Sequence, residues 1–259
     1  PVVLEGRLSG EFKPDLVIPF SVSRNDAKQK FIDWCSSKRF LKNDFKNQNQ
    51  LEKISGIYLP FWVVDAAVDG ELDGIAKKVR SWRRGDTIYT ETKTFSVERR
   101  GTANFKNLPR FALNTINTDA INSIWPFDLN KAEKFSMTYL SGFAAEKFEL
   151  DQDSLRDELL NDTRRYTEKM LRDTLGDCSS FIPHTNTQQV LSDNWRYVML
   201  PVWILYSNYN SKTYCFAVNG QTGEVDGTLP VDAKKLALLF GGVFLAAFII
   251  LMLLGGIIL

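Results

Sequence analysis

Apolar positions recur along this chain in three rhythms, and each predicts a different element. From Leu236 to Leu259 the run LALLFGGVFLAAFIILMLLGGIIL carries no charged or strongly polar side chain. As a helix rising about 1.5 Å per residue it reaches about 36 Å, enough to cross a hydrocarbon layer of ~30 Å. Leu236, Phe240, Phe244, Leu245, Phe248 and Leu251 supply much of its bulk, as a membrane anchor. Lys234 and Lys235 stand immediately before it, which by the positive-inside tendency keeps its N-terminal side in the cytoplasm. Gly242 and Ala246 form a small-x-x-x-small pair, the spacing that lets two such helices approach closely in a homo-oligomer.

The second rhythm is helical. Ser23, with Asp26 three places on, reads as a capping box. Ala27, Phe31, Trp34 and Lys38 follow on one face, with Cys35 adjacent. Ser154 with Asp157 opens a longer helix, whose expected stripe is Leu155, Leu159, Tyr166, Met170 and Leu171 and whose end is Gly176. Shorter helical candidates lie near 118–125 and 138–148.

The third rhythm is that of strands. ISGIYLPFWVVDAAV (54–68) is a dense β-forming run, and residues 75–82 and 87–99 read as a hairpin around Arg83–Asp86. After the long helix a loop is expected, then YVMLPVWILYSNY (197–209), TYCFAV (213–218) and the turn NGQTG. YLPFW at 58–62 and MLPVW at 199–203 each follow one amphipathic helix, the pattern an internal duplication would leave. The expected fold is therefore α+β, with two helix-on-antiparallel-sheet units and a C-terminal transmembrane helix. The boundaries are 1–110 for the first unit with its basic hairpin, 111–235 for the second, and 236–259 for the span. Trp34, Tyr58, Phe61, Trp62, Trp125, Leu159, Tyr166, Trp203 and Tyr206 are the expected core.

Composition narrows the chemistry. The 259 residues balance 32 Lys and Arg against 31 Asp and Glu, which argues against a nucleic-acid binder. Cys35, Cys178 and Cys215 are odd in number and widely spaced, so a disulfide framework gives way to a reduced compartment. The single histidine, His184, leaves no His-rich metal site. Nucleophile-elbow, phosphate-loop and zinc-helix motifs are absent, so no catalytic residue is nominated and the chain reads as a non-enzyme. Asp69, Glu71, Asp73 and Gly74 open like a calcium loop, but Arg80 stands where a bidentate acid would close it. The chain begins at Pro1, with no Met or signal segment, so the expectation is either that something has been removed or that these residues begin inside a longer protein.

Charge is unevenly spread. Residues 1–110 carry 20 basic against 14 acidic side chains, and the excess gathers at the hairpin in Lys77, Lys78, Arg80, Arg83, Arg84, Arg99 and Arg100, with Trp82 among them. Lys78, Arg80 and Trp82 share strand parity and hence one face. Such a surface suits anionic lipid or an acidic protein partner, or it is a charged edge guarded against strand pairing.

The segments 4–34, 54–66, 123–128 (SIWPFD), 139–151 (YLSGFAAEKFELD), 197–205 and 214–230 (YCFAVNGQTGEVDGTLP) resemble a family of bacterial membrane proteins with an N-terminal transcription-factor-B-type zinc ribbon, some of them labelled helicase-like. The resemblance implies a bacterial inner-membrane protein encoded beside phage-shock-protein-A-like and SPFH (flotillin-like) or virion-core proteins. It also implies zinc, but in a ribbon that would precede Pro1; these 259 residues themselves offer no cofactor or metal ligand set. The function expected is a membrane-anchored adaptor that organises a membrane-stress coat or SPFH-type assembly. The alternative is a nucleic-acid-binding accessory protein acting through the basic hairpin and the missing ribbon.

Overall fold

The computed structural model describes residues 10–41, 54–114, 118–209, 212–229 and 232–258. The strands are β1 (Leu16–Val17), β2 (Ser55–Arg84), β3 (Thr87–Phe111), β4 (Glu133–Lys134), β5 (Ala144–Ala145), β6 (Ser180–Tyr209), β7 (Lys212–Asn219) and β8 (Val225–Gly227). The α-helices are α1 (Arg24–Ser37), α2 (Thr118–Ser123), α3 (Gln152–Asp173) and α4 (Ala233–Ile258). The strands make one mixed sheet in the order β3-β2-β6-β1-β4, with β5 against β2, and β7 and β8 continuing from β6. This is an α+β fold with an apolar C-terminal helix. Segments 1–110 and 111–235 each bring one long helix, but their strands lie in a single sheet, since β2 pairs with β6 from Ser55 to Lys77.

The burial pattern of β2 explains its 30 residues. Tyr58–Val64 are buried on both faces, as a continuous apolar run requires. From Asp65 to Ala76 burial alternates, with Ala66, Val68, Leu72 and Ala76 inward. From Lys78 to Arg84 both faces meet solvent. One strand thus runs from the core of the body, through a half-covered stretch, into a free arm.

The two LP motifs meet across the β2–β6 pair. Leu59 faces Leu200, Tyr58 faces Pro201 and Pro60 faces Met199, so a local two-fold axis passes between the two leucines. The duplicated-looking sequence therefore has a geometric counterpart at the centre of the sheet.

Helices α1 and α3 each seal part of this sheet. On α1, Ser23 Oγ accepts the Asp26 N–H at 3.2 Å, the N-cap half of a capping box, while its hydroxyl donates to the Asp26 carboxylate at 2.7 Å. Ala27, Phe31 and Cys35 then pack beside Trp203, Phe216 and Val218. α3 is capped three residues earlier than Ser154, by Asp151, whose carboxylate accepts the Ser154 N–H at 2.8 Å. That bonding holds its carboxyl below the usual carboxylate range. Its buried stripe is Leu155, Leu159, Thr163, Thr167 and Leu171, whereas Tyr166 and Met170 are exposed. A threonine can serve here because Thr163 returns its hydroxyl to the Leu159 carbonyl at 2.9 Å, cancelling its polarity. Gly70 admits α3, since a Cβ there would lie 2.6 Å from Thr167 Cγ2.

Other expectations change as well. Residues 180–196 form the first half of β6 and not a loop; they are polar because they make a sheet edge with exposed faces. The helical candidate at 138–148 is a short 3₁₀ turn followed by β5. Tyr58, Phe61, Trp62, Leu159 and Trp203 are buried and Trp34 and Trp125 partly so, but Tyr206, like Tyr166, is about half exposed. The first nine residues and the polar stretch 43–50 lie outside the described residues.

Candidate functional site

Beyond Lys77, where β6 begins opposite at Ser180, β2 and β3 continue alone as a two-stranded tip. Seven residue pairs, from Lys78–Lys93 to Arg84–Thr87, extend it by about 24 Å. Gly85 turns the chain at φ +62, followed by Asp86, so two residues close the hairpin.

Pairing distributes the cations over two faces. Lys78, Arg80, Trp82 and Arg84 of β2 share one face with Lys93, Glu91, Tyr89 and Thr87 of β3. Trp82 and Tyr89 stack with centroids 5.8 Å apart and planes 13° from parallel, and the Arg80 guanidinium lies 5.9 Å from the Trp82 centroid. Lys77, Arg83 and Arg100 lie on the opposite face, together with Val79, Ser81, Ile88 and Thr90. The seven cations do not form one surface, because neighbours in a strand alternate sides.

The arginines also differ in what they do. Arg100 bridges Glu71 at 2.8 Å and Glu98 at 2.9 Å, and Arg83 turns back to the Gly85 carbonyl at 3.0 Å. Arg99 donates to Thr174 Oγ1 at 3.0 Å, tying β3 to the end of α3. These three are engaged in contacts within the fold. Arg80 and Arg84 present exposed guanidinium groups beside the Trp82–Tyr89 stack. At the base, a cavity of about 380 Å³ is lined by Lys78, Phe95, Arg99, Leu175, Asp177 and Cys178, with Lys78 and Asp177 paired at 3.7 Å. The strand register adds Tyr89, Glu91, Lys93 and Phe95 to the face of Trp82, with Tyr89 directly opposite it.

At the other end of β2 lies the root of α4. The Asp232 N–H donates to the Phe40 carbonyl at 2.8 Å, and Lys235 Nζ to the Leu41 carbonyl at 2.8 Å. Leu41 in turn packs in one cluster with Ile54, the residue before β2. α4 is long and apolar enough to cross a membrane, with a mean hydropathy of 2.4 over Ala233–Met252 and none of that stretch buried against the body. Phe240, Phe244, Leu245, Phe248 and Leu251 are all exposed.

The remaining candidates have structural settings. Asp69, Glu71 and Asp73 sit within the continuous β2 and form no loop. His184 occupies a bulge of β6, 3.7 Å from Asp73. Burial pushes the Cys215 thiol up, away from thiolate reactivity. Among the described residues no group of three or more His, Cys, Asp or Glu side chains is arranged to hold a metal.

No protein-family model matches the chain, and no solved structure matches it. The uncharacterized protein YdjG of Bacillus subtilis (strain 168) is 30% identical over 261 residues, covering 98% of this chain and 76% of that protein.

Proposed function

The chain belongs to the same family as YdjG of Bacillus subtilis, and from its own architecture we propose that it is a membrane-anchored scaffold. In this reading α4 holds the body at the cytoplasmic face of a bacterial inner membrane, with Lys234 and Lys235 at the cytoplasmic boundary. The arm then recruits an acidic face of a membrane-stress coat, of the phage-shock-protein-A or SPFH (flotillin-like) type.

One observation carries the proposal. The root of α4 and the tip of the arm lie at opposite ends of the same strand, Ser55–Arg84. An extended strand of that length covers up to about 100 Å. A tip at that remove from the anchor's root is better placed to meet a protein than the lipid around α4. Exposed Arg80 and Arg84 beside a stacked Trp82–Tyr89 pair provide charge and aromatic area, the two features enriched where protein interfaces hold tightest.

The test is affinity purification of the full chain from native membranes in mild detergent, beside the variant Arg80→Glu/Arg84→Glu. A coat or SPFH protein should accompany the unaltered chain and be lost from the variant, with both chains melting alike. The unaltered chain emerging alone would overturn the reading, as would equal recovery with the variant. Binding of the arm to anionic vesicles or nucleic acid, with no protein partner, would replace it.

A further inference from the structure

The two outer edges of the β6-β2-β3 ribbon that carries the arm are built differently. The β6 edge carries Pro183 and two bulges, where His184 and Leu191 have no partner in β2. Prolines and bulges are devices that keep a sheet edge from pairing with another chain. The β3 edge has neither: from Thr87 to Phe105 its register with β2 is unbroken, and its one proline, Pro109, lies deeper in the body. Among the described residues nothing pairs with its outer side.

The hydrogen-bonding phase of that edge is fixed by a contact across the arm. The Val79 N–H donates to Ser179 Oγ at 2.9 Å, away from β3. Thr92 is the partner of Val79, so in an antiparallel pair its own N–H and C=O also point away, toward the free edge. Thr90, Thr94 and the other even-numbered residues follow suit.

We infer that the β3 edge pairs antiparallel with the β3 edge of a second copy of this chain, about a two-fold axis at Thr92. In that register Glu91 lies opposite the second copy's Lys93, and Lys93 opposite its Glu91. Tyr89 meets Phe95, and Thr90 meets Thr94. The even residues fall into hydrogen-bonded pairs and the odd ones into the closer non-hydrogen-bonded pairs, where side chains interact most. Shifting the axis by one residue either way sets Glu91 against Glu91 or Lys93 against Lys93, which is unfavourable. Within one chain Lys93 lies 3.6 Å from Glu91 on its own strand, and in the paired register each of these two side chains gains a second, opposite-charge neighbour from the other copy. The sequence from Thr87 to Val97, TIYTETKTFSV, is complementary to its own reversal at the charged and the aromatic positions. This pairing is independent of the scaffold reading, since a dimer forms whether or not a coat binds.

The test is oxidative cross-linking of the full chain in native membranes, in a Cys178→Ser background that removes the partly exposed native thiol. Thr92→Cys places the two thiols across the axis, with Cα atoms about 5.5 Å apart and within disulfide reach. It should give a homodimer band, Thr90→Cys alone should not, and Thr90→Cys/Thr94→Cys should again. Glu91→Lys should abolish the Thr92→Cys cross-link, and adding Lys93→Glu should restore it. No band from Thr92→Cys, equal bands from Thr90→Cys and Thr92→Cys, a band to a different protein, or failure of the double charge exchange to rescue would each overturn the pairing.

Discussion

Individual side chains explain why the body is rigid where the arm is free. Trp62 and Trp203 are each about 94% buried, and each places its indole N–H on a backbone carbonyl at 3.0 Å, of Leu150 and Val22 respectively. Each therefore fills volume and satisfies a polar group at once. Trp62→Ala or Trp203→Ala should lower stability by roughly 3–5 kcal/mol, read from the chemical-denaturation midpoint. Tyrosines buried in the same core set an alkaline limit. Burial pushes the Tyr58 phenol up to about 12 and raises that of Tyr197 as well. In the unfolded chain both ionise near pH 10, while in the folded chain they stay neutral. Stability is thus unaffected below about pH 10 and lost progressively as pH rises from there toward 12. Tyr58→Phe should flatten that alkaline decline in a melting series, and an unchanged slope would assign it to other groups.

Among the elements, long periodic segments were legible from the chain and the polar edge strand was not. The capping box at Ser23 and the apolar run from Leu236 declare themselves, because local hydrogen bonding and length each suffice. The first half of β6 does not. Residues 180–196 lack an apolar alternation, and they are strand because β2 offers a continuous ladder to pair with. The stripe of α3 was misread for a related reason: Thr163 and Thr167 look polar in sequence but are fully buried, one of them through its own helix carbonyl. In the candidate site, parity alone placed Lys78, Arg80 and Trp82 together, while the cross-strand partners needed the turn geometry. Packing of α3 on the sheet also depends on a residue with no side chain. Gly70→Val should displace α3 and lower the melting temperature, whereas Gly101→Ala, with open space around it, should leave it nearly unchanged.

For the whole molecule, one helix among the described residues, α4, is long and apolar enough to cross a membrane. Leu245→Arg near its middle should cost about 2.5–3.5 kcal/mol of insertion on translocon scales. Carbonate extraction of membranes should then release a larger fraction of the variant, and identical retention would show that α4 is not the anchor. The continuity of β2 also has a mechanical meaning. A pull between the root of α4 and the arm's tip runs along the strands, while the hydrogen bonds that join β2 to β3 and β6 lie across them. Such a load shears many bonds together instead of peeling them one by one. The ribbon therefore behaves as a stiff strut, able to carry tension between its two ends without unravelling.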